Sequence, residues 1–282
     1  MSALFSALQI GALELPNRIV VSPMCQYSAR EGQANEWHMQ HLMQLALSGA
    51  GLVMVEATAV EPRGRISHGC LGLYSDATEA ALARVLAAAR AVAAPYARLG
   101  IQLAHAGRKG SADAPWLGGR PLAPQAGTWR CVATSATPFA GWTALPAGCV
   151  LGARITGTDW LPGGLDIEDA VSLAGQLRQA GVDYVCVTSG FVVRGARIPF
   201  GPGYQAGLAE QVRRRTGMPV RAVGGIADPR QAQAIIETGQ ADQVALARAF
   251  LADPRWVWRA AETLGAPAYY APQYRLGAGL RA

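Results

Sequence analysis

The sequence has no long apolar run and almost no lysine. No stretch reaches the roughly 18 consecutive apolar residues that a membrane-spanning helix needs, and no positive charge precedes the first apolar residues, so neither a membrane span nor a signal peptide is predicted. Lys109 is the only lysine among 25 basic residues, and the arginines are scattered apart from the run at 213–215. Nucleic acid is therefore disfavoured as a partner. We expect a cytoplasmic protein, without a membrane partner, whose positive charge serves small anionic ligands.

The spacing of the cysteines matches neither a disulfide framework nor a metal-binding motif. Their number is odd, their spacing is wide and no C-x-x-C occurs, so neither a disulfide framework nor a metal site is predicted. The five are Cys25, Cys70, Cys131, Cys149 and Cys186. With 51% hydrophobic and 16% charged residues, the composition suits one globular domain over residues 1–282.

Short apolar runs alternate with amphipathic segments along most of the chain, as in an α/β fold with parallel strands covered on both faces. A hairpin is predicted at 8–15. Seven strands are predicted to begin near residues 19, 52, 100, 150, 182, 220 and 243, and helices at 38–47, 79–94, 167–180, 204–215, 229–237 and up to 264. This alternation favours a TIM-type (β/α) barrel. A doubly wound sheet is the competitor, but no G-x-G-x-x-G follows the first strand.

The alternation breaks between residues 110 and 148. This stretch holds five prolines and shows no helical period. A connection of this length without secondary structure is unusual inside a compact domain. We predict an irregular excursion at the place of one strand–helix unit.

Chemically distinct residues follow the predicted strands, at the edge where barrels of this type gather their reactive groups. The first strand leads to Ser22, Pro23, Met24, Cys25 and Tyr27; later strands lead to Ala57, Gln102 and Arg154. Gly224-Gly225 and Ala247-Arg248 follow consecutive strands, where backbone N–H groups and a guanidinium suit a phosphate. The alternative is a tight glycine turn, with Arg248 paired to a surface acid.

Several motifs together resemble the Old Yellow Enzyme family, in its thermophilic-like branch with the xenobiotic reductases. They are Ser-Pro-Met-Cys-Gln-Tyr at 22–27, Trp-His-Met-Gln-His-Leu at 37–42, Glu-Ala-Thr-Ala-Val at 56–60, Gln-Leu-Ala-His-Ala-Gly-Arg-Lys at 102–109 and Ala-Arg-Ala-Phe-Leu-Ala-Asp-Pro-Arg-Trp at 247–256. The resemblance implies an FMN-containing (β/α)8 barrel. It also implies hydride transfer from NADPH or NADH, through flavin N5, to the activated alkene of an enone-type substrate.

The resemblance also implies roles for the strand-end residues. Ser22, Pro23, Met24 and Cys25 would line the flavin, Ala57 and Gln102 would meet its isoalloxazine edge, and Arg154 would face N1 and O2. Gly224, Gly225, Ala247 and Arg248 would hold the phosphate. Cys25 would tune the redox chemistry and Tyr27 would point at the substrate carbonyl. Without the resemblance, each residue has a structural interpretation as well. Cys25 could be a small buried hydrophobic residue and Tyr27 an aromatic residue with a solvated hydroxyl. Gln102 could be a buried amide whose hydrogen bonds are all made within the protein.

The C-terminal residues 271–275 resemble a segment that sends an arginine into a neighbouring subunit's site. Arg275 stands one position earlier than in that segment and is a candidate substrate residue. A homo-oligomer is expected.

The sequence departs from the family where the fourth strand is expected. That strand bears a His-x-x-His or His-x-x-Asn pair for the substrate oxygen and a nearby tyrosine, and residues 110–148 contain no such unit. His38-x-x-His41 has the spacing but lies on the first helix, so we interpret it as structural. Two alternatives to an ene-reductase stay open: an impaired FMN-binding remnant, and a phosphate-binding aldolase or isomerase with a Schiff base at Lys109.

Overall fold

The computed structural model describes residues 2–129, 150–190 and 196–277. The predicted hairpin is present as antiparallel strands β1 (Leu8–Ile10) and β2 (Leu13–Leu15). Gly11 at its tip has a φ of 52°, a conformation that glycine adopts without steric cost. Ile10 and Leu15 are buried against the inner face of the main sheet, so the hairpin forms the floor beneath it.

Seven parallel strands form one sheet. They are β3 (Ile19–Val21), β4 (Leu52–Ala59), β5 (Arg98–Ala104), β6 (Gly152–Thr156), β7 (Tyr184–Thr188), β8 (Val220–Ala222) and β9 (Gln243–Leu246). Their order is β5-β4-β3-β9-β8-β7-β6, and every pairing is parallel. The predicted α/β barrel architecture is therefore confirmed, with β5 and β6 at the two edges of the described sheet.

Seven α-helices accompany the sheet in the described part of the chain. They are α1 (Glu36–Ala46), α2 (Asp76–Val92), α3 (Ile167–Gln179), α4 (Ala206–Thr216), α5 (Pro229–Glu237), α6 (Arg248–Ala252) and α7 (Trp256–Leu264). Asp166 accepts hydrogen bonds from Glu168 N and Asp169 N, and Asp228 accepts one from Gln231 N. These caps satisfy N–H groups that have no partner inside a helix. The predicted starts of α3 and α5 are both correct.

The strands divide the core into two parts. Residues such as Val21, Val187 and Val244 face the helices in one large cluster, whereas Val20, Cys186 and the floor residues form the inner cluster. Strands β7 and β9, which have a neighbour on each side, are almost fully buried, while β5 and β6 are largely half-buried or exposed. The difference follows from their edge positions.

The described part of the excursion, residues 110–129, forms two short 3-10 turns, Pro115–Leu117 and Pro124–Ala126. The remainder, with Cys131 and Cys149, lies outside the described residues. Among the described helices none is both long and apolar enough to cross a membrane.

Candidate active site at the carboxyl ends of the strands

The segment after β3 is tied to both neighbouring strands. Ser22 N donates to Leu246 O of β9 at 2.9 Å, and Gln26 N donates to Oε2 of Glu56 in β4 at 2.9 Å. Tyr27 has a φ of 49°, which is uncommon for a non-glycine residue and marks a constrained turn. These contacts fix the backbone of 22–27 across the mouth of the sheet.

Cys25 and Tyr27 interact with each other in this segment. Burial, followed by the nearby Glu56, raises the pKa of the Cys25 thiol to about 12, although a hydrogen bond with Tyr27 opposes the rise. Burial also raises the pKa of the Tyr27 phenol above its usual range. Both groups therefore stay protonated near neutral pH. A neutral thiol is a poor nucleophile, so the geometry suits Cys25 as a contact of a ligand rather than an attacking group.

Glu56 of β4 holds segment 22–27 in place, and the sequence analysis did not identify it as a site residue. A register shift between Val55 and Ala57 marks a bulge in β4, and Glu56 at this point is 4% exposed. Its Oε1 lies 3.3 Å from His38 Nε2. His38 Nδ1 accepts a hydrogen bond from Asn35 N at the start of α1. The signal for Glu56 was a carboxylate in the middle of an otherwise apolar strand, which needs a partner when buried.

The histidine pair of α1 is placed as predicted. His38 and His41 are both buried. Burial, with a smaller effect of His38, lowers the pKa of His41 to about 4. Both side chains are thus part of the packing between α1 and the sheet.

Ala57 and Gln102 lie opposite each other in the β4–β5 register and are both half-buried. Paired residues of adjacent parallel strands project from the same face of a sheet. At the carboxyl ends of β4 and β5, the small Ala57 side chain leaves room for the edge of a flat ligand, and the Gln102 amide lies beside it.

Arg154 and Arg248 both lie near enough to Tyr204 for their charges to act on its phenol. Burial raises the pKa of the Tyr204 phenol, while the charges of Arg248 and Arg154 lower it. Arg154 Nη2 donates to Thr188 Oγ1 at 3.3 Å. The Arg154 side chain is exposed, because β6 is an edge strand. The alternation had placed Tyr204 inside a helix, but α4 begins at Ala206 and leaves this phenol in the preceding loop.

Gln205 was also missed by sequence reasoning. It is 2% exposed and its Nε2 donates to Ser189 Oγ at 2.8 Å; Trp160 Nε1 donates to the same oxygen at 2.9 Å. No local sequence pattern identifies Gln205, because its partners come from other strand ends.

Gly224 and Gly225 follow β8 and both have positive φ, 99° and 69°. A Cβ on Gly225 would lie 2.2 Å from Gly201 O, and one on Gly224 would lie 2.6 Å from Gln205 Oε1. Only glycine fits both the conformation and the close approach. Ala247 and Arg248 follow the adjacent strand β9, so the two predicted pairs do lie on neighbouring strand ends.

Arg275 lies in the C-terminal turn Pro272–Gly277 and is exposed. The adjacent Tyr274 packs on Trp258 of α7, with ring centroids 5.7 Å apart, and the Arg255 guanidinium lies 4.8 Å from the Tyr274 ring centroid. The tail is therefore held on the α7 side of its own chain. Within one chain, Arg275 is not grouped with the strand-end residues.

Lys109 and His105 follow β5. Lys109 is exposed on a 3-10 turn rather than enclosed in a pocket that could hold a substrate. His105 Nε2 lies 2.8 Å from Glu61 Oε1, and Nδ1 accepts from Gly107 N. Both ring nitrogens of His105 are thus engaged within the chain.

Comparison with known proteins places these features in a family. The sequence profile of the NADH:flavin oxidoreductase / NADH oxidase family matches residues 3–119 and 149–266. An NADPH dehydrogenase of Geobacillus sp. (strain WCH70) is 32% identical over 352 aligned positions, covering 97% of this chain and 98% of that protein. An NADPH dehydrogenase of Bacillus subtilis (strain 168) is 30% identical over 344 positions, with coverages of 97% and 98%.

These alignments are longer than the chain itself. Since 352 positions are aligned with a chain of 282 residues, the relative carries many residues that have no counterpart here. The family profile is interrupted between residues 119 and 149. The interruption falls within the predicted excursion.

Solved structures agree on the fold. Morphinone reductase superposes with a TM-score of 0.67 at 22% identity, covering 96% of this chain and 92% of the other. A 2-naphthoyl-CoA reductase in complex with 2-naphthoyl-CoA has a TM-score of 0.73 at 17% identity, with coverages of 94% and 53%. By its sequence matches, the chain belongs to the NADH:flavin oxidoreductase / NADH oxidase family, which is the Old Yellow Enzyme family of FMN-dependent oxidoreductases.

Proposed function

We propose that this enzyme takes electrons from NADPH and reduces the activated carbon–carbon double bond of an α,β-unsaturated carbonyl compound. The observation that carries the proposal is the glycine turn Gly224-Gly225, which packs closely against Tyr204 and Gln205 and lies on the strand end next to the one that bears Arg248. The charges of Arg248 and Arg154 both act on the Tyr204 phenol. Arg154 and Arg248 thus provide two positive charges at the carboxyl ends of the strands. Two such charges suit a ligand that has an anionic group at one end and a ring that becomes negatively charged at the other.

The phosphate end of FMN fits the chain's own residues. The Gly224-Gly225 backbone lies where any Cβ would collide with the neighbouring loop. We assign the phosphate to its successive N–H groups, since N–H groups in such a turn can bind an anion. Arg248 is exposed next to it, at the start of α6. Because α6 has five residues, we assign the binding to Arg248 and the backbone N–H groups rather than to a helix dipole.

The ring end of FMN fits the opposite strands. Bound FMN would supply the transfer of hydride from the nicotinamide donor to the substrate. The positive charge of Arg154 favours a negative charge that develops on a ring beside it. Ala57 leaves space for the ring edge and the Gln102 amide can donate or accept a hydrogen bond there. Ser22, Pro23, Met24 and Cys25 form the wall behind it.

Tyr27 is the residue we assign to the substrate. Its phenol stays protonated and can donate a hydrogen bond to a carbonyl oxygen. Its ring packs edge-to-face on Trp116 of the excursion, with centroids 5.5 Å apart. Residues 110–129 therefore shape the substrate side of the pocket.

A second candidate is an FMN-binding protein whose alkene reduction is impaired. It is favoured by the residues that the NADPH dehydrogenase of Geobacillus has and this chain lacks, and by the interruption of the family profile between residues 119 and 149. The chain's four histidines offer no replacement donor pair: His38 and His41 are buried in α1, His105 contacts Glu61, and His68 contacts Ala126 O at 2.9 Å. Loss of one oxyanion donor costs about 3 to 4 kcal/mol of transition-state stabilisation. The family match, with the exposed position of Lys109, removes the aldolase or isomerase alternative.

The test uses the purified full-length chain, soaked with FMN and desalted. We expect a retained flavin spectrum that bleaches anaerobically with NADPH and recovers when 2-cyclohexenone is added. NADH in a parallel cuvette measures the donor preference. A colourless protein after soaking would overturn the proposal.

Two results separate the candidates. Bleaching without turnover of 2-cyclohexenone supports the FMN-binding protein with impaired alkene reduction. If turnover occurs, Tyr27→Phe should lower kcat/KM by about tenfold, the cost of one hydrogen bond of about 1.4 kcal/mol, and should leave FMN retention unchanged.

A further inference from the structure

A buried arginine lies inside the sheet, in the same cross-strand row as Arg154 but two strands away from it. Arg221 of β8 is 3% exposed, and its guanidinium carbon lies 4.3 Å from the centroid of the Tyr184 ring. Its place in the register is the row Arg154, Cys186, Arg221 and Gln243 across β6 to β9. The side chain therefore points to the inner face, above the floor formed by the hairpin.

Arg221 and Gln243 form a hydrogen-bonded pair with two unused donors. Arg221 Nε donates to Gln243 Oε1 at 3.1 Å. Among the described residues, nothing accepts a hydrogen bond from Arg221 Nη2 or from Gln243 Nε2, and both atoms are buried. Gln243 is 1% exposed. Rotating the Gln243 amide would not help, because it would turn its N–H group towards the Nε–H of the arginine.

The charge of Arg221 also lacks a counterion in the described structure, where no carboxylate pairs with it. Asp242, next to Gln243, is used by Arg213 and by Val220 N. Asp183, next to Tyr184, accepts a hydrogen bond from Leu151 N. A guanidinium does not lose its proton inside proteins, so burial cannot neutralise it. An isolated buried charge is costly unless an opposite charge accompanies it.

We propose that a small inorganic anion of the size of chloride binds between β8 and β9, held by Arg221 Nη2 and Gln243 Nε2. The anion accepts from both unused donors and balances the guanidinium. Both donor atoms are closely packed, so only an ion of one or a few atoms can bind there, and the two side chains must separate slightly to admit it. The site does not involve the strand-end residues and is independent of the proposed function.

The test compares the FMN-loaded full-length chain in sodium chloride and in sodium gluconate at equal ionic strength. Gluconate is too large for the site. We expect the midpoint of thermal unfolding to be higher in chloride and to rise with its concentration, because a ligand that binds only the folded state stabilises it. Arg221→Met should abolish this difference between salts. Arg214→Met, which removes an exposed arginine of α4, should retain it.

Crystals soaked in bromide provide a measurement that does not depend on a variant that folds. An anomalous peak within hydrogen-bond distance of Arg221 Nη2 and Gln243 Nε2, with the chloride effect on stability, supports the proposal. The absence of a peak, or a water in its place, overturns it. A bromide peak without any chloride effect on unfolding shows an adventitious ion only and also overturns it.

Discussion

His38 Nε2 lies 3.3 Å from Glu56 Oε1, and both side chains are buried, at 2% and 4% exposed. The nitrogen is not aligned for a hydrogen bond to this oxygen, so the contact is electrostatic. The other oxygen of Glu56 accepts from Gln26 N. The pair thus connects the start of α1, through the bulge of β4, to the segment that bears Cys25 and Tyr27.

Glu56→Leu should destabilise the protein. The substitution leaves the buried N–H of Gln26 without its acceptor, which costs about 1 to 3 kcal/mol. The midpoint of urea unfolding should fall while the slope stays constant. Glu36→Gln is the matched control, since Glu36 contacts Arg84 on the surface and its side chain is 83% exposed. Equal midpoints for the two variants would contradict a supporting role for Glu56.

Gly225→Ala should weaken FMN binding and stability together. The new Cβ would lie 2.2 Å from Gly201 O, at a φ of 69°. Gly163→Ala separates the two causes, because Gly163 has a φ of 72° and no heavy atom lies within 4 Å of the position that its Cβ would take. That control should lose about 1 kcal/mol from backbone strain alone. The Gly225 variant should lose more, with at least a tenfold increase in the Kd for FMN, equal to about 1.4 kcal/mol. Titration of apoprotein by flavin fluorescence measures the Kd.

The two arginines around Tyr204 should act differently on the two redox states of FMN. Arg154→Met should lower the midpoint potential by about 30 to 60 mV, since losing an interaction with the reduced, negatively charged ring of about 1.4 to 2.8 kcal/mol corresponds to that range for two electrons. Arg248→Met removes a phosphate contact and should weaken oxidised and reduced FMN equally. A spectroelectrochemical titration measures both potentials. An unchanged potential for Arg154→Met would place this side chain away from the ring.

Stability should fall at mildly acidic pH because of His41. Its pKa is lowered to about 4 in the folded protein, against about 6.5 in an unfolded chain. As the pH falls below 6.5, His41 becomes protonated in the unfolded state but stays neutral in the folded state. The free energy of unfolding therefore decreases until about pH 4. The full loss is about 3 kcal/mol. His41→Leu should flatten the unfolding curve between pH 6.5 and 5, and His68→Asn, at an exposed site, should not.

The sequence predicted the elements that depend on local signals. Apolar periodicity located the strands, and Asp166 and Asp228 with Pro229 located the starts of α3 and α5, because capping involves only the next two or three residues. The glycine pair after β8 was also found, since positive φ and close approach require glycine whatever surrounds it.

The features that were missed depend on contacts between distant parts of the chain. Tyr204 lies beside Gly224 and is affected by the charges of Arg154 and Arg248, all of which come from other parts of the chain. Glu56 looked like one residue of a motif until the bulge and α1 gave it partners. No local pattern reveals that the strand of Arg154 lies at an edge of the sheet. Arg221 resembled an ordinary strand arginine until its inward position was known.

The edge strands β5 and β6 restrict how the sheet can be completed. Each keeps an outer row of N–H and C=O groups that no strand in the described part of the chain uses, and such rows are templates for further pairing. All seven strands run in the same direction, from the hairpin floor to the edge that bears the candidate site. A strand inserted between β5 and β6 would be parallel to both only if it ran in that direction too. A graft designed to restore the eighth strand must therefore be inserted in that direction, between the ends of β5 and β6.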